Sequence, residues 1–83
     1  MRIAYFSWVR ERMGTAEEEV ALPPGVADLR ALVAWLAARD AHGAHAFAEP
    51  QRIRAAIDGT MIGPDAQIAD AHEIALFPPV TGG

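Results

Sequence analysis

The stretch that decides the fold is VADLRALVAWLAAR, residues 26–39. Val26, Leu29, Leu32, Val33 and Leu36 recur at the three-and-four spacing that lines side chains along one face of an α-helix. The alanines between them are strong helix formers. Gly25 is an acceptable N-cap, and Asp28 suits the first turn, where the helix dipole favours a carboxylate. The spacing predicts one long helix over 26–39, and its apolar stripe needs a second layer to bury it.

The flanking segments supply that layer as strands. Residues 2–9, RIAYFSWV, alternate, with Ile3, Tyr5, Ser7 and Val9 on one side and Ala4, Phe6 and Trp8 on the other, and predict a first strand. Gly14 marks a turn, EEEVAL (17–22) a second strand, and Pro23-Pro24-Gly25 its end. Beyond the helix, Gly43 and Pro50 bracket a stretch that allows at most a short helical turn. RIRAAI (52–57) and TMI (60–62) read as strands joined by the hairpin dipeptide Asp58-Gly59. GPDAQIADAH is loop, and EIALF (73–77) is the last strand, stopped by Pro78.

One long helix against these strands is an α+β arrangement of two layers. The expectation is a β-grasp (ubiquitin-like) roll, with one main helix packed on a mixed four- to five-stranded sheet. Residues 1–83 then form a single domain, and 78–83 a protruding C-terminal tail. A ferredoxin-like fold is weaker, because it needs a second substantial helix. A single helix covers one side of the sheet. Ile3, Tyr5, Ile74 and Leu76 are expected on that side, which leaves Ala4, Phe6, Trp8, Ala75 and Phe77 on the other, with Met61 nearby. Large apolar side chains on an uncovered face indicate a partner surface, unless segment 40–52 folds over them.

Composition narrows the function. The chain has 83 residues, no cysteine and a net charge of −4, with an acidic run at Glu17-Glu18-Glu19. Thiolate metal sites and a cysteine nucleophile are excluded. A nucleic-acid partner is disfavoured for want of a basic stripe. No apolar run has the length to span a membrane, and the N-terminus lacks the pattern of a signal peptide, so a cytoplasmic location is expected. All seven basic residues are arginine. Apart from its N-terminal amine, the chain offers no amine for an amide link to itself.

The tail, FPPVTGG (77–83), carries the chemistry. Pro78 and Pro79 lack an N–H and hold the chain extended. Six extended residues reach roughly 20 Å, and two terminal glycines give the end a very small cross-section. Such a tail fits a narrow tunnel and delivers the Gly83 carboxylate to chemistry at its far end. That carboxylate is ionised at neutral pH and is a poor electrophile, so it needs activation. The chain has no phosphate-cradling glycine loop, which assigns the nucleotide site to a partner.

These residues resemble the small subunit of molybdopterin synthase, a ubiquitin-like sulfur-carrier family. Besides FPPVTGG, VRERMG (9–14), VADLRALV (26–33) and DAHEIALF (70–77) resemble that family's segments, so the likeness runs the length of the chain. Ala71-His72 stands where the family often has Gly-Asp, and Asp58-Gly59 where many members have Asn-Gln or Asn-Gly. The Thr N-cap common in relatives is missing too, but none of these departures touches the tail. The resemblance implies that an ATP-dependent activating enzyme adenylates Gly83, beside Gly82, and that a sulfur donor converts the adenylate to a thiocarboxylate. It further implies docking on the large synthase subunit in a heterotetramer, with sulfur passing to cyclic pyranopterin monophosphate. No cofactor is expected on this chain itself, and ATP is used by the activating enzyme. The implied partner-contact residues are Phe6, Met61 and Phe77, with Pro78, Pro79, Val80 and Thr81 of the tail. A thiamine-pathway sulfur carrier, a ubiquitin-like protein modifier and a plain binding module with an inert tail are the alternatives.

Other features read as structural. His42 and His45 are three apart, with His72 elsewhere, which is too few ligands for zinc without cysteine. Arg10, Glu11 and Arg12 read as a solvated charge cluster. Trp8 and Trp35 read as packing residues, with Trp35 at the edge of the core.

Overall fold

The computed structural model describes residues 1–79. In chain order it contains β1 (Arg2–Tyr5), α1 (Ser7–Met13), β2 (Glu17–Glu19), α2 (Leu29–Arg39) and α3 (Ala41–Ala46). A single 3₁₀ turn (Pro50–Arg52) follows, then β3 (Arg54–Ile57), β4 (Thr60–Ile62) and β5 (Glu73–Phe77). The strands form one mixed sheet in the order β2-β1-β5-β3-β4. β1 and β5 run parallel at its centre and the other pairs are antiparallel. This is the α+β β-grasp roll that the strand–helix order predicts.

The long helix begins later than its apolar stripe suggests. Asp28, not Gly25, is the N-cap: its Oδ1 accepts from the Ala31 N–H at 2.8 Å, satisfying one of the amides the first turn leaves open. Val26 stays outside the helix and packs on the core from the preceding turn. Leu29, Leu32, Val33 and Leu36 are the buried face of α2.

β2 and β3 are shorter than the strands expected over 17–22 and 52–57, and two segments depart from expectation in kind. The first strand ends at Tyr5 instead of Val9. Ser7 takes a positive φ of 55°, and α1 starts there. Val9 and Met13, four apart, are its buried face, and Gly14 closes it in the left-handed conformation at φ 76°. Short alternation over 2–9 is compatible with both readings; the i, i+4 pair followed by glycine is what decides for helix. Segment 40–52 also holds more helix than the expected single turn. Asp40 caps α3 by accepting from the Gly43 N–H at 2.8 Å. Gly43 sits inside α3 because a Cβ there would lie 1.8 Å from the Leu36 carbonyl oxygen, so only glycine lets α3 press against α2.

All three helices share one side of the sheet. Val9 and Met13 of α1, the α2 face, Ala46 and Phe47 bury with Ile3, Tyr5, Ala55, Ile74 and Leu76 in one cluster. Segment 40–52 therefore thickens the helical layer and does not cross to the other face. At the β3–β4 hairpin, Asp58 and Gly59 take φ of 47° and 88° between the paired residues Ile57 and Thr60, the primed turn that matches strand twist.

Candidate functional site

The face without helices is laid out by the strand registers. Side chains alternate along a strand, so Ile3, Tyr5, Ala55, Ile74 and Leu76 inward put their neighbours outward. Three rows result. At one end Glu19, Arg2 and Glu73 lie across β2, β1 and β5, with Arg2 within 3.7 Å of both carboxylates. In the middle Ala4, Ala75 and Ala56 make a floor of small side chains, with Met61 beside them at 60 % exposure. At the other end Phe77 of β5 pairs with Arg54 of β3. Phe6 joins that end, because its N–H donates to the Leu76 carbonyl at 3.1 Å and extends the β1–β5 ladder by one residue. Phe6 is 50 % exposed, and Phe77 partly so. The exposed apolar groups stand where Pro78 and Pro79 leave the sheet.

The structure thus puts Phe6, Phe77 and Met61 on one face, with Phe6 and Phe77 at the end from which Pro78 and Pro79 continue and Met61 in the middle row. Trp8 does not belong with them: it lies on α1 and packs against the core edge. Val80, Thr81, Gly82 and Gly83 lie outside the described residues. Among the described residues no group of three or more His, Asp or Glu is placed to hold a metal ion, and His42, His45 and His72 are exposed. Among the described residues no helix is long and apolar enough to cross a membrane.

The perturbed ionisable groups sit on the covered side. Tyr5 Oη donates to Glu18 Oε2 at 2.7 Å, and the Arg39 guanidinium grips the same carboxylate at 2.9 and 2.8 Å. Hydrogen bonding from Arg39 holds the Glu18 carboxyl below its ordinary value. Burial, followed by the Glu18 carboxylate, pushes the Tyr5 phenol well above its own. Arg39 also lies over the Trp35 ring at 5.3 Å, at the edge of the core. This network ties β1, β2 and α2 together and is a structural clasp. A groove of about 690 Å³ between α2 and the β3–β4 side is lined by Leu29, Val33, Ile53 and Ile62, with Arg30 and Arg54 at its rim. No carboxylate or nucleophile lines it, so it offers a hollow but no chemistry.

A second cluster escapes sequence reading. The Arg12 guanidinium lies over the Trp8 ring at 4.3 Å, and that of Arg52 lies 5.6 Å from the same ring. Both are within the range of cation–π attraction. Residues forty positions apart meet there because α1 and the 3₁₀ turn pack side by side, which no local periodicity signals.

Comparison with known proteins agrees with the fold. The chain is 38 % identical to the molybdopterin synthase sulfur carrier subunit of Escherichia coli K12, over 100 % of its own length and 99 % of that protein's. Its structure is similar to a Pyrococcus furiosus protein described as molybdopterin converting factor, subunit 1, with a TM-score of 0.74 and 28 % identity over 95 % of each chain. It is also similar to SAMP1 of Haloferax volcanii, with a TM-score of 0.68 and 26 % identity over 100 % of this chain and 98 % of the other. The sequence matches the ThiS family over residues 3–83. With all of the β-grasp sheet but Arg2 inside that match, the chain belongs to the ThiS family.

Proposed function

We propose that this chain is the sulfur carrier of molybdopterin synthase, working in the assembly of the molybdenum cofactor. The observation that carries the reading is the 38 % identity to the E. coli sulfur carrier subunit over the whole length of this chain. In this reading a Gly83 carboxylate oxygen attacks the α-phosphorus of ATP on an activating enzyme and expels pyrophosphate. Sulfur delivered at the oxidation level of sulfide then displaces AMP and leaves a thiocarboxylate. The carrier docks on the large synthase subunit, and its tail presents the sulfur to cyclic pyranopterin monophosphate; two such transfers build the dithiolene. Catalytic side chains and the nucleotide site belong to the partners, and this chain supplies the reach and the reactive end.

Phe6, Met61 and Phe77 provide the docking face, and Pro78 and Pro79 hold the tail away from it, with Val80, Thr81, Gly82 and Gly83 entering the partner. Partly exposed aromatic groups beside an alanine floor give that face raised anchors and a hollow, the relief that interface hot spots use. The molybdopterin relatives favour this pathway over a thiamine carrier.

The test is to incubate the chain with its host's extract, ATP and a sulfide donor, and then measure its mass with fragmentation. One oxygen replaced by sulfur, located on Gly83 and dependent on ATP, is the expected result. Localisation is essential, because oxidation of Met1, Met13 or Met61 adds nearly the same mass. Adducts on other proteins' lysines with Gly83 otherwise unmodified would make it a protein modifier. An unmodified chain in an extract shown to be active would point to an inert tail.

A further inference from the structure

The seven arginines are not used alike. Arg2, Arg30 and Arg39 each pair with a carboxylate of the chain, at 3.7, 3.1 and 2.8 Å. Arg52 has only Glu49, at 3.8 Å. Arg10, Arg12 and Arg54 have no side-chain carboxylate within 4 Å among the described residues. Of these, Arg12 and Arg54 lie with Arg52 at the same end of the molecule. Arg54 stands opposite Phe77, with its Nη1 donating to the Gln51 and Ile53 carbonyls at 2.9 and 3.2 Å. Arg52 comes two residues before it. Arg12 is on α1, which starts immediately after Phe6. The Trp8 ring holds Arg12 and Arg52 side by side.

A chain of net charge −4 thus keeps a basic collar where the tail leaves the sheet, while Glu17 and Glu19 face outward from the β2 edge and Glu73 lies at the opposite end of β5. Holding two guanidiniums on one indole limits the rotamer freedom that binding would otherwise remove. Three guanidiniums at one end, with the exposed Glu49 at 3.8 Å from Arg52 as their one carboxylate partner among the described residues, leave positive charge there for a partner outside the chain.

We propose that Arg12, Arg52 and Arg54 dock against an acidic rim on the protein that receives the tail, steering the end into its entrance. This rests on the carrier reading above and adds to it the charge of the partner surface. The collar is continuous with the apolar Phe6–Phe77 pair, which favours a protein surface, with an apolar centre and a charged rim, over a nucleic acid. Three arginines on an acidic chain are also a small footprint for nucleic acid.

The test is the association rate of the full chain with the large synthase subunit of the same host, at low salt and at about 0.5 M salt, where screening is severe. The combined Arg12→Glu, Arg52→Glu, Arg54→Glu variant is expected to associate about tenfold or more slowly at low salt, with the gap closing at high salt. The combined arginine-to-lysine variant should retain most of the rate, which separates charge from packing. Circular dichroism confirms folding, and Arg→Gln versions replace any reversal that unfolds. Wild-type rates and salt dependence in the Glu variant, with binding weakened by Phe77→Ala, would overturn the collar and leave the carrier reading standing. No binding by the wild-type chain would bring down both. Tight, collar-dependent binding of an RNA oligonucleotide, used as a competing probe, would overturn the choice of a protein partner.

Discussion

Leu76 and Phe77 are neighbours in one strand, and they belong to different problems. Leu76 is wholly buried under the helices, in a layer filled by Ile3, Tyr5, Leu32, Leu36 and Ile74. Phe77 points the other way, partly exposed, beside Phe6 and Arg54 and with alanines below it. On the covered face large side chains interdigitate and ionisable groups are paired off, Tyr5 and Arg39 both on Glu18. On the open face small side chains form the floor and large ones stand clear of it. A domain this small buries a limited core, so a sheet side left without helices is a sizeable concession. Folding energy is drawn from one side of the sheet, and the other side is the one proposed above for recognition.

That division can be broken by experiment. Leu76→Ala should produce the largest effect, a loss of about 2–5 kcal/mol in unfolding free energy by denaturant titration, because it removes buried volume from the centre of the sheet. A loss below that range would mean the covered face is not where stability lies. Gly43→Ala should cost about 3 kcal/mol by the same measurement, since the new Cβ meets the Leu36 carbonyl oxygen and α3 must back away from α2. Phe77→Ala should change stability by less than about 1 kcal/mol yet weaken binding to the large synthase subunit by about 2 kcal/mol, measured by calorimetry. Equal effects on folding and binding would erase the contrast with Leu76.

The smallest effect is one of pH. Glu18 is held below its ordinary 4.5, so the stability it contributes is present above that pH and lost as the pH falls below it. Tyr5 is raised above its ordinary 10.0, so its share is present below pH 10 and lost as the pH rises further. Melting temperature against pH should therefore show a plateau with shoulders at both ends. Glu18→Gln should flatten the acid shoulder, and an unchanged acid limb would show that Glu18 is not part of the clasp.

How much of this was legible in the sequence follows from which signals are local. EIALF and its stop at Pro78, the Asp58-Gly59 turn and the stripe of α2 rest on neighbouring residues, and they appear where expected. Parity alone put Phe6 and Phe77 on the open face, and the observed registers put them there too. α1 was not legible as a helix, because Ile3, Tyr5 and Val9 satisfy a strand's alternation up to the point where Ser7 turns the chain. α3 was hidden by Gly43, read as a breaker when a close helix contact demands it. The pairing of Arg52 with Trp8 depends on two elements packing across the fold, and no window along the chain contains it. The tail's four last residues carry the plainest chemical signal in the sequence and lie outside the described residues.

The central position of β5 has one more consequence. β5 bonds to β1 on one side and β3 on the other, so neither half of the sheet can be joined before it arrives. Nascent chains stopped short of Phe77 lack the strand that closes the structure, and they remain open to proteases that attack unfolded polypeptide. Degradation of unclosed chains thereby acts as an inspection step: a molecule that survives it has been translated at least as far as Phe77.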